Sequence, residues 1–235
     1  MLKRLKKKNN LFENGLSDFL VFLDFDNTIT TFDVLDDIIA RFSINERWKE
    51  LENDWIAGKI GSKECLEGQL QEIRITKNDL SRYLRNKVKI DRHFKRLLTF
   101  LRKNKIKPVI VSDDFYWIIN SILRNNGIKA IKIFCNNLKF KKDRLITSFP
   151  HVNKLCLKSA NCKKMHLLNN CYGKKKIIFI GDGISDICPA VHADLAFAKG
   201  SLLKYLKANK KPHVAYADLG DVYKYLKGAT NGRKA

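Results

Sequence analysis

Two patterns of apolar residues alternate along the chain. Three short runs, LVFL (20–23), KPVIV (107–111) and KKIIFI (175–180), are unbroken. A strand with one wet face alternates apolar and polar residues, so these runs read as strands covered on both faces, as in a parallel sheet. Each stops at small or polar residues: Asp24-Phe25-Asp26, Ser112-Asp113-Asp114 and Gly181-Asp182-Gly183. Weaker runs at 128–134, 194–197 and 213–216 predict further strands. Helical spacing occupies 91–104, 114–126, 160–170, 185–192, 201–209 and 219–227. The alternation predicts an α/β fold with a Rossmann-like, three-layer parallel sheet core.

Two stretches depart from it. Residues 33–90 carry only helical periodicity (VLDDIIARF, ERWKELENDWIAG, SKECLEGQLQEI, TKNDLSRYLRN), which is too long for one crossover helix and predicts an inserted helical cap. Residues 134–151 (FCNNLKFKKDRLITSFPH) alternate like a β-hairpin or flap. The expected organisation is a basic flexible tail at 1–14, a core made of 15–32 plus 91–235, and the cap at 33–90.

Composition narrows the partners. A net charge of +22 attracts phosphate-rich ligands, yet the chain has 34 lysines against 12 arginines, scattered throughout instead of gathered in arginine forks. That reads as a solvated surface. Nucleic acid is therefore not the expected partner, although the field can gather small anionic metabolites. Six cysteines form no C-x-x-C pair, and Cys156, Cys162, His151 and His166 fit no tight zinc spacing. No apolar run approaches the roughly 20 residues of a membrane span, and no secretory h-region opens the chain. The expectation is a cytoplasmic protein with reduced thiols, as monomer or homodimer.

Chemistry gathers at the strand ends, because ligands of open α/β sheets bind outside the carboxyl ends of the strands. Residues i and i+2 of a strand point the same way, so Asp24 and Asp26 address one cleft. With Asp182 arriving from another strand they form an oxygen-rich nest suited to Mg²⁺. Asp24 can then attack phosphorus, and Asp26 can protonate the leaving alkoxide and deprotonate a water. Ser112 offers a hydroxyl to a phosphate oxygen, and Lys163 or Lys164 can offset the charge.

DFDNT (24–28), the V-S of 111–112, a lysine and GDGISD (181–186), in this order, resemble the four motifs of the haloacid dehalogenase (HAD) superfamily of phosphatases. The helical insert is like the type 1 cap of phosphoserine phosphatases, and CNNLKF (135–140) resembles a segment after their second motif. SFPH (148–151) and CKK (162–164) look closer to 2-hydroxy-3-keto-5-methylthiopentenyl-1-phosphate phosphatases and to phosphoethanolamine/phosphocholine phosphatases. The resemblance implies Asp24 as nucleophile, Asp26 as acid/base with its carbonyl on Mg²⁺, Lys163 as motif lysine, and Asp182 and Asp186 at the metal. It further implies substrate contacts from Ser112, Asp113, Asn136 and, on the cap side, Asp33. Where relatives often have Ser-Gly-Gly, this chain has Ser112-Asp113-Asp114, which adds two acids beside the substrate. The function so implied is a Mg²⁺-dependent phosphatase for a small phosphomonoester, phosphoserine-like or methylthiopentenyl-phosphate-like. A phosphotransferase to an acceptor alcohol, a non-catalytic phospho-aspartate receiver and a basic nucleic-acid module are the alternatives.

Overall fold

The computed structural model describes residues 11–12, 15–153, 156, 159–171 and 175–231. Seven strands form one sheet: β1 (Phe19–Leu23), β2 (Val109–Phe115), β3 (Lys132–Lys141), β4 (Arg144–Ser148), β5 (Lys176–Gly181), β6 (Leu195–Ala198) and β7 (Val214–Ala215). Their order is β4-β3-β2-β1-β5-β6-β7. All neighbours are parallel except the β3–β4 hairpin, the expected flap.

The unbroken apolar runs have the predicted cause. On β1, Val21 and Leu23 enter one hydrophobic cluster while Phe22 enters the other; Ile178 and Ile180 against Ile177 and Phe179 repeat this on β5. The first cluster lies under α5 (Phe94–Lys103), α6 (Tyr116–Asn125) and α10 (Leu219–Asn231), the second under α7 (Lys163–Cys171), α8 (Ile187–His192) and α9 (Gly200–Ala208). Burying a side chain such as Phe22 or Phe179 stabilises by about 1.5–3 kcal/mol. The sheet is thereby fixed as the middle layer of three.

Between β1 and its neighbour β2 the chain makes α1 (Val34–Phe42), α2 (Arg47–Ile56), α3 (Ser62–Gln71) and α4 (Lys77–Lys87) before α5. Caps start two of them: Asp33 accepts from Asp36 N (3.0 Å) and Thr76 from Asp79 N (3.2 Å). α3 packs on α2 and β4, and Ile75 N donates to Asp143 O in the hairpin turn (2.8 Å).

Three expectations are corrected. β2 does not stop at Val111 but runs through Ser112-Asp113-Asp114 to Phe115, and the helix expected from 114 starts at Tyr116. The register slips between Val111 and Phe115, where Phe115 pairs with Asn136 and buries its ring completely. The strand expected at 128–134 lies at 132–141, because left-handed backbone at Gly127 (φ 70°) and Ala130 (φ 54°) breaks extended structure before it. The helix expected over 185–192 opens as a 3₁₀ turn, Ile184–Asp186, ahead of α8.

Of the expected tail, 1–10, 13 and 14 lie outside the described residues. Phe12 is buried against Phe19, ring centroids 5.0 Å apart. Among the described residues no helix is long and apolar enough to cross a membrane.

Candidate active site

The tips of β1 and β5 are built first by backbone. Asp24 N donates to Ile180 O (2.9 Å), extending the β1–β5 ladder to the acidic residue itself. The chain then turns, with Phe25 O accepting from Ile29 N (2.8 Å) and Asn27 in the left-handed region (φ 51°). Asp26 Oδ1 accepts from Val34 N (2.9 Å), one of the donors that the start of α1 leaves without a helical partner.

Across the gap, Asp186 is fully buried and divides its oxygens. Oδ2 accepts from Asp182 N (2.9 Å) and Gly183 N (3.1 Å), and Oδ1 accepts from Lys163 Nζ (2.7 Å). A Cβ at Gly181 would stand 2.3 Å from Asp186 Oδ2, so only glycine lets that carboxylate reach beneath the turn. Lys163, the first residue of α7, also donates to Asp24 Oδ1 (2.6 Å) and Ser185 Oγ (3.0 Å), which uses all three ammonium hydrogens.

Charge is unevenly balanced here. Burial works against the Lys163 ammonium, but Asp186 and Asp24 outweigh it and hold it protonated. Burial, then the Asp186 carboxylate, push Asp24 up, and the same two causes raise Asp182 to about 6. One ammonium therefore serves three acids. Asp24, Asp182 and Asp186 each present an oxygen within 4.8 Å of the others, a set of hard donors whose surplus negative charge fits a divalent cation such as Mg²⁺. Thr28 Oγ1 holds Asp182 Oδ1 (3.2 Å), and Tyr216 OH, 3.4 Å from Thr28 Oγ1, donates to Gly181 O (3.3 Å).

The β2 tip closes the third side. Ser112 is buried and its Oγ accepts from Asp114 N (3.0 Å), which leaves the hydroxyl hydrogen to donate. Asp113 is a tie: Oδ1 accepts from Asn161 N (3.0 Å) and Oδ2 from Ser62 Oγ (3.3 Å). Asn161 also donates to Ser112 O (2.7 Å) and Phe134 O (2.8 Å), and its Oδ1 meets His166 Nε2 (2.6 Å). Asn136 stands behind β2, donating to Asp113 O (2.6 Å), and does not line the cavity.

These tips enclose a cavity of about 160 Å³ under α1–α3. Asp33, Asp36, Glu52, Asp114 and Trp55 also line it, and among the described lining residues Lys163 is the one base. Asp114 is 1% exposed, and its Oδ2 has no hydrogen-bond partner. Burial and the neighbouring Asp33 raise its carboxyl. Burial, then Asp33 and Glu52, push Asp36 up to about 7.

The structure thus brings Asp24, Asp26, Lys163, Ser112, Asp113, Asp182 and Asp33 to one cavity, with Asp186 just beneath it. It adds Thr28, Tyr216, Asn161, Ser62 and Ser185, which sequence reasoning missed. Thr28 and Ser185 lie inside quoted motifs, and Tyr216 is the last residue of the run at 213–216. Nothing local marks Asn161 or Ser62.

A parallel sheet with paired aspartates at the tip of its central strand, clamped to a lysine and to a second acidic tip, defines a phosphatase of the HAD type. The family described as "Putative Phosphatase" matches residues 19–211, and the chain belongs to it. The 2-hydroxy-3-keto-5-methylthiopentenyl-1-phosphate phosphatase of Geobacillus thermodenitrificans is 26% identical over 88% of this chain and 94% of its own length. Its counterpart from Geobacillus kaustophilus is 27% identical over 86% and 93%. Among solved structures, a substrate-bound phosphoserine phosphatase superposes with a TM-score of 0.65 at 19% identity, covering 88% of this chain and 97% of that one. The shared fold carries that last likeness.

Proposed function

We propose that this enzyme hydrolyses a small phosphomonoester whose leaving group carries an ammonium, through a phosphorylated Asp24. The observation that carries the reading is the Lys163 ammonium clamped between Asp24 Oδ1 and Asp186 Oδ1 at the meeting point of three strand tips. Asp24, Asp182 and Asp186 would hold Mg²⁺, with the Asp26 carbonyl beside them. Bound there, Mg²⁺ supplies positive charge to neutralise the phosphoryl oxygens.

Asp24 attacks phosphorus, and the bond from phosphorus to the ester oxygen breaks. Asp26 gives its proton to that oxygen, then takes one from the water that splits the aspartyl-phosphate, releasing inorganic phosphate and restoring Asp24. The Ser112 hydroxyl holds a phosphoryl oxygen, and Lys163, on Asp24 Oδ1, offsets the charge of nucleophile and phosphoryl group. The helices of 33–90 act as the cap that shuts bulk water out and presents the wall to the leaving group.

That wall bears on the substrate. Asp33, Asp36 and Glu52 reject an anion, offer a neutral hydroxylated group acceptors but no charge to match, and satisfy an ammonium, with Trp55 lining the same cavity. A phosphoethanolamine- or phosphocholine-like amine fits this wall; the carboxylate of phosphoserine opposes it, and a methylthiopentenyl group, which has no cation, does not use it.

The test is a panel assayed with Mg²⁺ and with EDTA: phosphoethanolamine and phosphocholine against phosphoserine, glycerol phosphate and a methylthioalkyl phosphate. Cationic esters should exceed neutral ones at least about tenfold in kcat/KM, a difference of about 1.4 kcal/mol. Asp24→Asn should lose about 10³-fold or more. Metal-independent turnover or an active Asp24→Asn enzyme refutes the mechanism, and a preference for neutral esters refutes the substrate class.

A further inference from the structure

Lys163 and Lys164 are adjacent in sequence and enter different spaces. Lys163 closes the floor of the inner cavity. Lys164, half-buried, lines a second chamber of about 440 Å³ between the α2–α3 loop and the 184–189 segment. The two spaces meet at Trp55, Ser62, Lys163, Ile184 and Ser185, which line both. Their charge is opposite. Acids line the inner cavity, whereas no carboxylate lines the outer chamber among the described residues; its polar groups are lysines, serine hydroxyls and the thiols of Cys156, Cys162 and Cys188. Among the described residues Lys164 makes no ion pair, so its charge is available to a passing anion.

We propose that the outer chamber is the route by which phosphate reaches and leaves Lys163, with Lys164 as its electrostatic guide. The inference rests on the reading that phosphate is handled at Asp24 and Lys163. A phosphate dianion moving along the α1–α2 wall would pass Asp33, Asp36 and Glu52 in a partly desolvated space, where like charges repel strongly. The outer chamber offers the same anion the Lys164 ammonium and, among the described lining residues, no carboxylate, and a one-signed path focuses encounter. Ser62 stands at the junction, its Oγ accepting from Ala160 N (3.0 Å) and donating to Asp113 Oδ2 (3.3 Å), so the wall between the spaces is pinned to the core. The cation-loving cavity and the anion-loving chamber thereby serve the two products separately.

Cys188 is exposed in this chamber, which allows its charge to be set chemically. In a Cys156→Ser background, Cys188 is tagged with an anionic or a cationic methanethiosulfonate of similar size, and a Cys188→Ser control receives both reagents. Association and dissociation of inorganic phosphate with Mg²⁺ are followed by stopped-flow tryptophan fluorescence. The anionic tag should slow both rates about tenfold, the cationic tag should leave them within about twofold, and the control should respond to neither. Lys164→Glu should reproduce the anionic tag. Equal slowing by both tags, or no effect of either, overturns the route. Absence of both phosphate binding and turnover in the untagged enzyme sinks the underlying reading as well, whereas normal turnover with charge-blind phosphate rates sinks the route alone.

Discussion

The tips of β1 and β5 and the tip of β2 face the same cavity and are finished differently. At β1 and β5 the carboxylates have partners: Asp24 and Asp186 on Lys163, Asp26 on Val34 N, Asp182 on Thr28. Beside the partnered Ser112 and Asp113, β2 leaves Asp114 Oδ2 bare in a buried setting, and behind it Asn136 Oδ1 is bare too. A buried polar atom without a partner is costly and is kept where something else completes it. The paired tips carry the groups to which the proposed reaction is assigned, and the β2 tip keeps its bare oxygen out of reach of solvent.

The sharpest way to break this contrast is to unpair the paired side. Lys163→Ala leaves Asp24 and Asp186 buried without their cation, which should cost about 3–5 kcal/mol of stability in chemical denaturation. Mg²⁺ should recover part of the loss; a variant as stable as the parent in EDTA would mean that the clamp carries no such charge.

Next comes the support behind β2. His166 is held near pKa 4 by burial, with His151 and Lys132 opposing its charge further, and its neutral Nε2–H donates to Asn161 Oδ1. Its folded value lies below the unfolded value of about 6.5, so between these the unfolded state binds more protons. Stability should be unaffected by this group above about pH 6.5 and should fall by up to about 3 kcal/mol as pH drops toward 4. His166→Gln, which retains a donor for Asn161, should flatten that slope; an unchanged slope would place the proton uptake elsewhere.

The smallest effect concerns selection alone. Glu52→Gln should cut kcat/KM for an ammonium-bearing ester by about tenfold and leave a neutral ester within about twofold, since one acid lining the cavity is removed while the clamp stays. Equal losses on both esters would make Glu52 a structural residue and return selection to Asp33 and Asp36.

Much of this was legible in the linear chain, for a physical reason. A strand buried on both faces must be apolar at every position, so β1, β2 and β5 announce themselves, and their polar endings mark the cleft side. The β3–β4 hairpin shows in its alternation. The course of β2 past Val111 was not legible, because Ser112-Asp113-Asp114 reads as a strand end; its continuation depends on Phe115 pairing with Asn136, over twenty residues away.

The amino-acid order alone determined the layered α/β architecture, the helical insert, and which acids stand at strand tips, all of which follow from periodicities of a few residues. Only the tertiary structure decided that Ser62 and Asn161 tie the floor to the insert, and that a chamber with no carboxylate among its described lining residues adjoins an acidic one. The Lys163–Asp24 contact joins residues 139 positions apart, and the Ala160–Ser62 contact joins residues 98 apart. No local pattern encodes such meetings; they exist once the sheet has brought the strand ends to one side and the helices have closed over them.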